Sequence, residues 1–209
     1  MRNYSLIDKL CITANNFLNT VLPNKNICST NYPKSNNKMP LNQKEKKLSA
    51  NLMRVNHCGE VCAQALYRGQ AFLDSHLQDK FLQLAAEEYD HLLWCQQRLK
   101  ELDSHISYLS PFFYLASFLL GITVSCFDDS INAGFIEATE SQVTQHLINY
   151  QQRLPKNDHQ SWQVIEQMKL DEIQHQQTAV ALGAVILSKK IQKLMSINAK
   201  IMIYMTFYL

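Results

Sequence analysis

Two short segments of this chain set a carboxylate and an imidazole three residues apart: Glu88 with His91 in AEEYDHLLW, and Glu172 with His175 in LDEIQHQQT. On a helix that spacing puts both groups on one face, one turn apart. Imidazole and carboxylate together suit iron and leave coordination positions open for other ligands. One such pair is a weak signal. Two pairs, completed by one inward Glu on each of two further helices, are the ligand set of a two-iron carboxylate four-helix bundle. The chain must then supply four helices and two more carboxylates at the same height.

Composition favours helices. The 209 residues include only 5 Gly and 5 Pro, too few for a turn-rich all-β fold, and suffice for one domain with a sizeable core. A formal net charge of +2 does not by itself suggest nucleic acid. The six cysteines form no C-x-x-C pair and read as reduced thiols of a cytosolic setting. The first residues lack an apolar stretch followed by a small-residue cleavage site, so no secretory signal is expected.

In chain order, residues 1–22 suggest a short amphipathic helix, with Leu6, Ile7, Leu10, Phe17, Leu18 and Val21 apolar, and residues 23–40 an Asn- and Lys-rich loop. The first bundle helix is expected from Leu41 to Ser75. Gly59 and Gly69 lie inside it, and Gly59 is read as a place where a helix or ligand comes close. A second helix should span Gln78 to Leu102, joined to the first by a few residues around His76 and therefore antiparallel to it. After a long connection, a third helix follows the N-cap candidates Asp128, Asp129 and Ser130 and stops before Pro155. A fourth starts near Asn157 or Asp158 and reaches about Lys190. The expected units are residues 1–40, a bundle over 41–190 and a C-terminal helix over 191–209.

The connection, residues 103–127, is nearly free of charge and contains Pro111 and Gly121. Its length approaches a membrane span, yet the helices on either side must return to one bundle. A hydrophobic hairpin or kinked segment at the membrane interface is the preferred reading; a buried crossover is the alternative. In the tail, Lys189, Lys190, Lys193 and Lys200 alternate with large apolar residues, which suits an interface helix. A helix for core packing or dimerisation fits the same pattern.

Heights along the helices identify the missing carboxylates. Glu140 lies about 14 residues before the Leu154/Pro155 turn and Glu172 about 14 after Asp158, so each arm climbs about 21 Å. In the other hairpin, Glu60 lies about 15 residues before the Ser75/His76 turn and Glu88 about 12 after it, roughly 22 Å against 18 Å. The candidate ligands are therefore Glu60, Glu88, His91, Glu140, Glu172 and His175, with Glu137 a rival to Glu140 on the same face. Unpaired carboxylates in a bundle core would be costly, and cations would offset that cost. Asp171, at i,i+4 to His175, and Glu87, at i,i+4 to His91, fit either as acceptors for the second imidazole proton or as solvated surface acids. His57 shares a face with Glu60 and either touches substrate or a ligand, or simply packs. His146 reads as a polar bundle residue, Cys58 and Cys62 as small core residues, Tyr67, Tyr89 and Trp94 as core, and His76, His105 and His159 as exposed.

RVNHCGEVCAQALYRGQ, EEYDHL, ATESQVTQHL and DEIQHQ together resemble the demethoxyubiquinone hydroxylase family in its bacterial form, over about residues 41–190. The resemblance implies an all-α fold: a ferritin-like four-helix bundle with a long crossover and extra membrane-facing hydrophobic helices. It implies an O2-dependent di-iron monooxygenase with two Fe ions per chain. Its six ligands would be Glu60, Glu88, His91, Glu140, Glu172 and His175, with no catalytic side chain beyond them. The implied substrate is a polyprenylated methoxy-methyl-benzoquinol, hydroxylated on its ring in ubiquinone synthesis. The implied location is the cytoplasmic face of a bacterial membrane, as a peripheral protein, alone, as a homo-oligomer or with other proteins of that pathway. No G-x-G-x-x-G is present, so no separate dinucleotide site is expected. Rival readings are another ferritin-like di-iron protein (iron store or tRNA hydroxylase) and a membrane-peripheral helical adapter whose Glu and His are solvated. The lack of a concentrated basic face argues against RNA.

Overall fold

In the computed structural model, residues 5–23, 31–37, 39–73 and 76–209 are described. They form seven helices and no strand: α1 (Leu6–Val21), α2 (Gln43–Gln70), α3 (Gln78–Glu101), α4 (Ser110–Ser125), α5 (Asp129–Arg153), α6 (His159–Ala181) and α7 (Lys189–Tyr208). Cys28, with the rest of 24–30 in the expected loop, lies outside the described residues, as does Ser75; the first bundle helix already ends at Gln70, before the expected Ser75. The fold is all-α, a helical bundle.

Local chemistry starts these helices where it can satisfy their first N–H groups. Asn42 accepts from the N–H of Lys44 and Glu45, while Glu45 reaches back to the Asn42 N–H, a reciprocal cap. Asp158 accepts from the Ser161 N–H and also holds the Arg98 guanidinium at 2.7 Å, so one buried carboxylate caps α6 and ties it to α3. Asp128 stands at the α5 N-cap, but its side chain makes no capping bond.

α2 pairs with α3, α5 pairs with α6, and α3 meets α6. Two apolar clusters fill this bundle. One gathers Met53, Trp94, Leu99, Leu147, Val164 and Met168; the other gathers Leu66, Phe81, Leu84, Phe135, Ile136 and Ala179. In each of the four helices the candidate ligands fall between residues of the two clusters, so the clusters close the site from above and below.

The connection over 103–127 differs from the hairpin expectation. It forms one helix, α4, with Pro111 in its first turn, where a missing N–H costs nothing. α4 lies flat on α2: a Cβ on Gly69 would sit 2.3 Å from the Phe118 carbonyl oxygen, and one on Gly121 2.2 Å from that of Leu66. Gly121 is thus a crossing point rather than a kink. No helix comes close at Gly59, where nothing lies within 4 Å of a built Cβ; the close helix contact is at Gly69. Phe112, Leu115, Leu119 and Leu120 stay exposed on the outer side of α4.

α6 ends well before Lys190. Gly183 takes a left-handed φ of +88°, which ends the helix, and the stretch after it donates the Val185 N–H to Ser130 O at 3.1 Å. Gly134 leaves room for this stretch, because a Cβ there would sit 2.3 Å from the Val185 oxygen. α7 then crosses α2 and α5. Met202, Ile203 and Phe207 pack on the first cluster, and the Arg153 guanidinium lies 5.4 Å from the Phe207 ring centre. Leu194, Ile197, Ile201 and Tyr204 remain exposed. No helix among the described residues is long and apolar enough to cross a membrane.

Candidate metal centre

Glu60 comes from α2, Glu88 and His91 from α3, Glu140 from α5, and Glu172 and His175 from α6. The bundle brings all six together. None is a solvated surface group: Glu88 is 0 % exposed and His175, the most exposed of them, 5 %. The adapter reading, which needs these groups in water, fails on that observation.

The six form two overlapping sets, Glu60, Glu88, His91 and Glu172, and Glu88, Glu140, Glu172 and His175. Within each, one ligand atom per residue lies within 4.8 Å of the others. In the first set His91 Nδ1 lies 3.0 Å from Glu88 Oε2, 3.4 Å from Glu172 Oε1 and 3.9 Å from Glu60 Oε2. In the second, His175 Nδ1 lies 3.1 Å from Glu88 Oε1, 3.4 Å from Glu172 Oε2 and 3.9 Å from Glu140 Oε1. Glu88 and Glu172 therefore divide their oxygens, one to each imidazole. Glu60 and Glu140 close the two ends.

This arrangement fits a pair of cations. Glu88 Oε1, Glu172 Oε2 and His175 Nδ1 are buried without a hydrogen-bond partner, although carboxylate and imidazole are close. Buried polar atoms left so are expensive unless something else satisfies them, and lone pairs converging on one space are what a metal ion requires. Without metal the cage divides its protons unevenly. Burial, then the nearby charges of Glu88 and Glu172, push the Glu60 carboxyl far up; burial and Glu172 do the same to Glu140. Burial works against ionising Glu88 as well, but both imidazoles hold it below the usual carboxylate range. Burial would also lower the imidazoles, yet their acceptors win: Asp171, Glu172 and Glu88 carry His91 well up, and Glu172 and Glu88 carry His175 to about 10. Cations entering the cage would displace these protons.

The carboxylates behind the imidazoles differ from the pairing expected along each helix. His91 Nε2 meets Asp171 of α6 at 3.1 Å, and His175 Nε2 meets Glu87 of α3 at 2.9 Å. Each imidazole is thus oriented by the helix that carries the other one. The i,i+4 pairing fails because Nδ1 points into the cage and turns Nε2 across to the neighbouring helix. Both carboxylates line a cavity of about 450 Å³ on the α3/α6 side, with Asp90, Trp94, Asn31 and the two imidazole edges.

His57 lies outside the cage. It is fully buried, faces Gln96 Nε2 across 3.2 Å, and burial lowers it to about 3. Glu137 accepts from Gln176 Nε2 at 2.8 Å and is not in either set. His146 lies against Tyr150, ring centres 3.8 Å apart and planes tilted by 48°. Cys58 is buried and Cys62 half-buried, and neither belongs to the cage. The residue that sequence reasoning missed is Tyr67. It is fully buried, and its hydroxyl donates to Glu140 Oε1. Nothing local marks it, because 73 residues separate the two partners.

Comparison with known proteins gives this geometry a family. The sequence model described as "Ubiquinone biosynthesis protein COQ7" matches residues 47–206. The chain is 40% identical over 210 aligned positions to the 3-demethoxyubiquinol 3-hydroxylase of Coxiella burnetii (strain CbuG_Q212), covering 100% of this chain and 98% of that one. It is 42% identical over 213 positions to the protein of that name from Legionella pneumophila (strain Corby), with 100% of both covered. The chain belongs to the COQ7 family.

Proposed function

We propose that this chain is an O2-dependent di-iron monooxygenase that hydroxylates the ring of a polyprenylated methoxy-methyl-benzoquinol; its relatives carry the name 3-demethoxyubiquinol 3-hydroxylase. The observation that carries the reading is the division of Glu88 and Glu172 between two imidazoles inside a buried cage. Glu60, Glu88, His91, Glu140, Glu172 and His175 hold two iron ions per chain, within a ferritin-like bundle. When bound, the irons supply the electrons and Lewis acidity that activate O2. The protein's own part is positional. Asp171 and Glu87 keep a proton on each imidazole Nε2, so that Nδ1 presents its lone pair to the cage. The two apolar clusters exclude water from the reacting ring.

The substrate's isoprenoid tail stays in the bilayer. The outer faces of α4 and α7 rest on the cytoplasmic surface of the membrane through Phe112, Leu115, Leu119, Leu120, Leu194, Ile197 and Ile201, with Lys189, Lys190, Lys193 and Lys200 toward anionic headgroups. The test uses a bacterial strain lacking its own hydroxylase and accumulating demethoxyubiquinone. Expression of this chain is expected to restore ubiquinone, and Glu172→Ala to restore none. An unchanged quinone profile with well-expressed, iron-loaded protein would contradict the assignment.

A further inference from the structure

The two halves of the cage are near-equivalents. Each has one imidazole, one oxygen of each shared carboxylate, and an end carboxylate 3.9 Å from the imidazole. α2 and α5 supply the two ends, so Glu60 corresponds to Glu140. Seven residues beyond Glu60 stands Tyr67, and seven beyond Glu140 stands Leu147. Both are buried, at 0 % and 1 % exposure. Their chemistry differs. The Tyr67 hydroxyl crosses the bundle and donates to Glu140 Oε1. Leu147 packs in the first apolar cluster and has nothing to donate to Glu60. Among the described residues Glu60 has Glu88, Glu172 and His91 as neighbours inside the cage, and outside it the Cys95 thiol, which donates to Met168 Sδ instead. A single hydroxyl breaks the symmetry.

We propose that Tyr67 is a positioning residue that makes the two metal positions unequal: it fixes Glu140 for a tight first ion beside His175 and leaves Glu60 the carboxylate that can shift beside His91. The proposal rests on reading the six side chains as a two-metal cage. A carboxylate already held in one orientation gives up less rotamer freedom when it binds an ion. Partners that orient metal ligands are typically worth about 10–100-fold in affinity. Glu60, to which no described residue donates in this way, is the end that can move when a substrate or O2 arrives.

The test is an anaerobic titration of the full chain with Co²⁺, followed by its visible ligand-field absorption, with circular dichroism of the metal-free protein as a control for folding. Wild type is expected to fill in two steps. Tyr67→Phe keeps the ring and removes the oxygen; its first step should weaken by about tenfold and approach the second. A second comparison does not depend on that variant folding. Glu60→Gln should keep a tight first step, and Glu140→Gln should lose it. A wild type that takes up no Co²⁺ overturns the cage and this inference together. Two steps that Tyr67→Phe leaves unchanged or weakens equally, two ions of equal affinity in wild type, or equal weakening in Glu60→Gln and Glu140→Gln overturn the inference alone.

Discussion

The two sides of the bundle are built from opposite materials. On the α3/α6 side, Glu87, Asp90 and Asp171 surround a cavity whose floor is the edges of His91 and His175. On the α2/α5 side, α4 and α7 cover the bundle and turn Phe112, Leu119, Leu194 and Ile201 outward. One face presents charged side chains beside the cage, while the other presents apolar ones. A buried set of ionisable groups needs the first for protons and cations, and the isoprenoid tail of the proposed substrate would need the second. We propose that cations and protons reach the cage from the α3/α6 side and that substrate arrives along the helices laid on α2 and α5, while all four bundle helices supply ligands. Substitutions on the two sides should then fail in different ways.

The largest effect is expected at the shared ligands. Glu172→Ala removes an oxygen from both halves of the cage, so iron affinity should fall by roughly 100-fold or more and turnover with it. Circular dichroism should still show the helices. Iron retained at the wild-type level after desalting would remove Glu172 from the cage. On the apolar side, the double variant Leu115→Glu/Leu119→Glu should lower partition to vesicles containing anionic lipid by about 30-fold or more, since each buried Leu contributes about 1.5–3 kcal/mol. Its iron content should not change. Unaltered vesicle binding would mean that α4 does not rest on a membrane.

A smaller effect tests the crossed pairing. Asp171→Asn should loosen the His91 half and Glu87→Gln the His175 half, each by about tenfold in metal affinity. If Asp171→Asn instead disturbs His175, the same-helix pairing holds. The smallest effect is on stability. Burial holds His57 at about 3, so as pH drops below about 6.5 the unfolded chain takes up this proton first. Stability should decline through that window, by at most about 1.4 kcal/mol per pH unit from this group. Denaturant titrations of His57→Gln should show a shallower decline between pH 6.5 and 5, and an identical slope would refute the buried neutral imidazole.

The same contrast explains what could be read from the chain beforehand. The four heights were legible because a helix rises evenly and the hairpin turns are short, so counting residues locates Glu60, Glu88, Glu140 and Glu172. The partners of the imidazoles were not, because Asp171 lies on the face of His175 in the sequence but bonds His91 through space. Tyr67 looked like any core aromatic until Glu140 was placed beside it. The early end of α6 had a visible sign in Gly183, whose φ of +88° suits a residue without a side chain. Gly59 carried more weight than Gly69 by its position next to Glu60, yet backbone contact depends on which helix packs there, and α4 packs at Gly69.

The most direct test is a crystal of the chain loaded with Fe²⁺ without oxygen, measured at the iron edge. The account predicts two anomalous peaks inside the cage, one beside Nδ1 of His91 and one beside Nδ1 of His175, with Glu88 and Glu172 reaching both. A cage with no iron in it, or iron bound only at surface carboxylates, would contradict it.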